Sequence, residues 1–147
     1  MKYLILLVAC LILSGCATPR KSDTDVTFEV ASRLVGIVPP EQVAEFPVIK
    51  IPSHGHPADL LAIGVGGGAN VGGVRRALQA AQKQGDKVFL MIGDNRLLDA
   101  VVLGRAVDGL HLPGMNIVYA NSLPISNEAE VRARIESARA NYIYVDL

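Results

Sequence analysis

The chain has 147 residues, 14 basic and 14 acidic side chains, and a hydrophobic half, so it is neutral overall and long enough for one domain with a real core. That balance excludes electrostatic capture of nucleic acid or of an anionic membrane surface. Its two cysteines, Cys10 and Cys16, both lie near the start, so no disulfide framework is available to the rest of the chain and stability has to come from burial. Aromatic residues are few and tryptophan is absent, which argues weakly against a carbohydrate-stacking or peptide-groove surface.

Lys2 is the only charge before Arg20, and an apolar run from Tyr3 to Leu13 follows it. Together they form the charged and apolar regions of a secretory signal, and eleven apolar residues are too few for the roughly 20 that a transmembrane helix needs. Leu13-Ser14-Gly15-Cys16 then resembles the lipobox of bacterial lipoproteins. The resemblance covers residues 1–16 and implies a signal peptide over 1–15, a diacylglyceryl group on the Cys16 thiol, cleavage before Cys16 and acylation of the new amine. Ala17, where enteric-type sorting reads an Asp as a retention signal, implies the outer membrane, facing the periplasm. Lipid on Cys16 is thus the expected membrane link, and a protein of the envelope the expected partner.

Residues 16–25 read as the lipidated cysteine and a polar tether, and 26–147 as a single domain. Val26 to Val35 fits two patterns: Val26, Val30 and Leu34 at helical spacing, or Val26, Phe28 and Val30 in strand alternation, with helix preferred and ended before Pro39-Pro40. Pro40 opens a second short helix through Glu45, and Val48–Ile51, between Pro47 and Pro52, reads as an edge strand.

Leu60-Leu61-Ala62-Ile63 reads as a strand entering a glycine cluster, followed by a helix over about Val71 to Gln84 that Gly85 stops. Val88–Ile92, wholly apolar, is expected to be a strand covered on both faces. A helix from Arg96 to Val107 follows, capped by Asp94 or Asn95, then a strand over Ile117–Ala120. Asn127-x-x-Glu130 resembles a capping box for a helix with Val131, Ile135 and Ala138 inward, and Tyr142–Val145 is the closing strand. This alternation predicts a small three-layer α/β domain, a Rossmann-like or flavodoxin-like parallel sheet preceded by a short irregular segment.

Three groups of residues carry candidate chemistry. Gly64, Gly66, Gly67 and Gly68, with Ala69, form G-x-G-x-x-A at an expected strand-to-helix turn, where a dinucleotide pyrophosphate would meet the helix N-terminus. The acid expected about 20 residues on is not at position 84, which is Gln, and Asp94 is distant though topologically suitable, so a tight turn is the preferred reading and a small-ligand or nucleotide site the alternative. Asn70, Asp94, Asn95, Asn121 and Ser122 are expected to share the rim at the carboxyl ends of the strands, though such residues are also ordinary caps and turns. His54-Gly55-His56 with Asp59 and the distant His111 offers metal-ligand types, but in a Pro/Gly-rich loop that reads better as a solvated turn. No G-x-S-x-G elbow or other complete catalytic set is present, so no catalytic residue, metal or cofactor is assigned. The expectation is a non-enzymatic envelope lipoprotein acting through protein contacts.

Overall fold

The computed structural model describes residues 21–147, so the signal peptide, Cys16 and the start of the tether lie outside the described residues. The first helix, α1 (Asp23–Leu34), begins inside the expected tether. Ser22 caps it by accepting from the Asp25 amide while the Asp25 carboxylate accepts from the Ser22 amide, a reciprocal capping box. A single turn of 3-10 helix at Pro40–Gln42 replaces the expected second helix. Then come β1 (Val48–Ile51), α2 (His56–Gly64), α3 (Ala69–Gln84), β2 (Val88–Gly93), α4 (Arg96–Val107), β3 (Asn116–Asn121), α5 (Glu128–Ser137) and β4 (Asn141–Asp146).

The four strands form one parallel sheet in sequential order, β1-β2-β3-β4. The fold is therefore α/β with a parallel sheet between helical layers, as the strand–helix alternation predicts. Alternation along the strands divides the interior in two. Phe89, Met91, Ile117, Tyr119 and Tyr142 meet the inner sides of α3, α4 and α5. Val88, Leu90, Ile92, Val118, Ala120 and Val145 meet Val26, Val30 and Leu34 of α1. Adjacent residues Leu90 and Met91 are both fully buried, one under each layer, as a doubly covered strand requires.

Leu60–Ile63 corrects the sequence reading: these residues form the second half of helix α2, not a strand. Gly55 in an extended positive-φ conformation, Pro57 in the first turn and Asp59 beside it supply a helix start that outweighs four apolar residues. β1, the expected edge strand, lies at one edge of the sheet beside β2. A second correction concerns Asn127, which adopts a left-handed conformation (φ 51°) and makes no side-chain cap, so the expected capping box at α5 is not formed.

Candidate functional site

The glycine cluster joins α2 to α3, helix to helix, so the strand–turn–helix setting of a dinucleotide fingerprint is missing. Its backbone is nonetheless special. Gly66 and Gly67 have φ of 77° and 90°, and a Cβ on Gly67 would stand 3.0 Å from Val102 Cγ2 and closer still to Val71 Cγ2. A Cβ on Gly66 would overlap the Arg105 guanidinium. At Gly67 the absence of a side chain lets this turn approach Val102 of α4 closely. Gly64 and Gly68 flank the same turn, and Asn70 lies in the first turn of α3.

The sequential strand order has a second consequence. A Rossmann crevice opens where strand order reverses, and this sheet has no reversal among the described strands. What stands at the carboxyl edge is a polar network. Asp94 and Asn95 follow β2, and Asn121 and Ser122 end β3, so these four expected rim residues do come together. Asn70 and the glycines do not join them.

Asp59 holds the network on the β1 side. Only 2% exposed, its carboxylate accepts from Ser53 Oγ (2.6 Å), the His54 amide (3.0 Å) and Asn95 Nδ2 (2.7 Å). The Ser53 and Asn95 side chains and the His54 amide hold its pKa below the usual carboxylate range. Asn95 in turn caps α4, its Oδ1 accepting from the Leu97 and Leu98 amides. One asparagine thus ties the β1–α2 loop to the start of α4.

Beneath this rim lies a part of the site that the sequence reading missed. Tyr119 in β3 donates from its hydroxyl to Asp99 Oδ2 at 2.8 Å and accepts from Asn121 Nδ2 at 3.0 Å. Asn121 Nδ2 also donates to the Gly93 carbonyl, and Tyr144 donates to the Asn121 carbonyl. Asp99 has no exposed surface, and its Oδ1 has no hydrogen-bond partner. Burial pushes its pKa up to about 7, against the opposing pull of the Tyr119 hydroxyl and the Asn95 backbone, while the charge on Asp59 adds to the rise. Burial also raises the Tyr119 pKa, aided by Asp99. Gly93 has to be a glycine here, because a Cβ would overlap the Asp99 carboxyl. The available signals were a lone Asp within the apolar stretch Leu97–Leu103 and a tyrosine within the apolar run Ile117–Ala120.

Two hollows flank the rim and share Asp94, Asn121 and Ser122. One is open and lined by Ser53, His56, Asp59 and Asn95; the other, about 520 Å³, runs past Lys21, Asp23 and Lys50. Lys50 and Asp23 are paired at 2.6 Å across that second hollow. The three histidines do not converge: His54 and His56 follow the carboxyl end of β1, whereas His111 precedes the amino end of β3, where its carbonyl accepts from Gln82. Among the described residues no group of three His, Cys, Asp or Glu side chains is placed to hold a metal. No described helix is long and apolar enough to cross a membrane.

The helical layer exposes an apolar surface beside this rim. α2 buries its aspartate and turns Leu60 and Leu61 outward, and Val65 continues the exposed side just past its end. Leu61 is 75% exposed, and Leu97 and Leu123 add exposed apolar area from α4 and the β3–α5 loop. Compared with known protein families, curated proteins and solved structures, the chain shows no significant match.

Proposed function

We propose that this chain is a lipid-anchored protein of the cell envelope, tethered through Cys16 to the outer membrane, whose α/β domain acts by binding another protein rather than by catalysis. The observation that carries the reading is that Leu60 and Leu61 of α2 and Val65 just past its end face solvent, while Ala62 and Ile63 pack on the core. Exposed aliphatic side chains four apart, Leu61 and Val65, suit an apolar surface on a partner. The lipobox-like Leu13–Cys16 supplies the address.

The carboxyl edge supports a second reading less well. Asp94, Asn95, Asn121 and Ser122 border open hollows that a small polar ligand could enter. Yet the Asp59 carboxylate already accepts three hydrogen bonds from the protein, and Asp99 lies beneath the surface. The network is better suited to locking the loops of the carboxyl edge than to gripping a ligand.

A photo-crosslinking residue placed at Leu61 in the membrane-bound protein tests the contact reading. A discrete protein adduct from position 61, absent with the same residue at Glu136 on α5 and lost on Leu60→Glu, is the expected result. Equal, diffuse labelling from both positions contradicts it.

A further inference from the structure

We infer that α1 lies on the bilayer that holds Cys16, with Phe28 entering the boundary between headgroups and acyl chains; the inference rests on the lipid-anchor reading above. α1 has three distinct faces at helical spacing. Val26, Val30 and Leu34 pack on the sheet. Asp25, Glu29 and Arg33 form a charged stripe in which Glu29 accepts from Lys21 at 2.5 Å and from Arg33 at 2.8 Å. Thr24, Phe28, Ala31 and Val35 form the third face, which carries no charge.

Among the described residues this face is largely uncovered beyond the groove it shares with Val43–Phe46. Phe28 is 76% exposed, Val35 65% and Ile37 61%. Beside Phe28 a shallow apolar groove runs between α1 and Val43–Phe46. An exposed aromatic ring among small uncharged neighbours, with the charges on another face, can enter a membrane interface without burying charge.

The position of the anchor selects the occupant. Asp23, the first residue of α1, is seven residues from Cys16, a reach of at most about 25 Å fully extended. α1 is the first described element, and a link of seven residues holds it beside the bilayer at high effective concentration. Weak intrinsic affinity then suffices. With Glu45 at the groove and acidic groups along the charged stripe, the face suits a zwitterionic surface better than an anionic one. The orientation also has a consequence for the partner surface. α1 covers one face of the sheet and α3–α5 cover the other, with α2 packed on α4, so α1 on the membrane turns Leu60 and Leu61 away from it.

The chain has no tryptophan, so Phe28→Trp makes a single-fluorophore reporter on an exposed site that tolerates the exchange. The mature lipidated variant is reconstituted into phosphatidylethanolamine–phosphatidylcholine vesicles with bromines on the acyl chains, with Leu61→Trp as comparator. Blue-shifted emission and strong bromine quenching are expected for Phe28→Trp, and neither for Leu61→Trp. The mass of the same sample reports Cys16. If Cys16 carries acyl chains and the vesicles retain the protein, but Phe28→Trp is unquenched, the α1 proposal falls and the anchor stands. If Cys16 is unmodified, both fall. Blue-shifted emission without bromine quenching, together with a cross-linked dimer, assigns the face to a second copy and overturns the proposal.

Discussion

The Tyr119 hydroxyl donates to the Asp99 carboxylate at 2.8 Å in the interior between β3 and α4, and neither residue has exposed surface. A carboxyl group in that setting has its pKa raised to about 7, so folding favours its protonated form. Stability from this group is complete below its unfolded pKa, near 4, and declines as pH rises towards 7. The pair therefore makes stability pH-dependent across the neutral range.

Thermal or denaturant unfolding between pH 5 and pH 8 checks this directly. The wild-type domain is expected to lose on the order of 2–3 kcal/mol over that window, the first part of the decline lying between pH 4 and pH 5. Asp99→Asn, which cannot ionise, should flatten the slope. A wild-type slope that survives Asp99→Asn unchanged would assign it to other groups.

Tyr119→Phe removes the donor to Asp99 and the acceptor for Asn121. The expected cost is about 1–3 kcal/mol, largest at pH 8 where Asp99 is charged. Because the hydroxyl lowers the Asp99 pKa, its loss should also move the declining limb to higher pH. Urea unfolding at several pH values shows both effects.

Asp59 has the opposite sign. Its lowered pKa gives stability that is present above the unfolded value and lost as pH falls through the folded one. Asp59→Asn should weaken the link between the β1–α2 loop and Asn95, speed amide exchange at His54, and blunt acid unfolding below about pH 4. Exchange at His54 identical to wild type would refute the assigned role.

Gly66 and Gly67 separate a packed turn from a ligand cradle. Gly67→Ala should cost about 1–3 kcal/mol through its positive φ and its collision with Val71 and Val102. Gly66→Ala should cost less, since the Arg105 side chain can swing aside. Calorimetry with nucleotides and inorganic phosphate should show no binding in either variant or in wild type. Micromolar nucleotide binding by wild type that Gly66→Ala abolishes without unfolding would restore the fingerprint reading.

The strands were legible where the sequence pattern had one physical solution. Val88–Ile92 has no polar residue and is rich in β-formers, with Gly85 before it and Gly93 after it, which favours a strand covered on both sides; Leu90 and Met91 face different layers. Leu60–Ile63 was not legible, because four apolar residues suit a strand or one turn of a helix equally. What decided it was Asp59, held by Ser53 and Asn95, a contact between segments that spacing along the chain does not reveal. The rim asparagines were found from their places after the strands, while Asp99 and Tyr119, 20 residues apart, were recognisable as a pair only once β3 and α4 were packed together.

The central claim, a domain held in the envelope by lipid on Cys16, is tested most directly by the intact mass and N-terminal peptide of the mature protein taken from the membrane fraction. The account predicts a chain beginning at Cys16 and carrying a diacylglyceryl group with an acylated amine. A chain recovered from the soluble fraction with a free Cys16 thiol, or one that keeps residues 1–15, would contradict it.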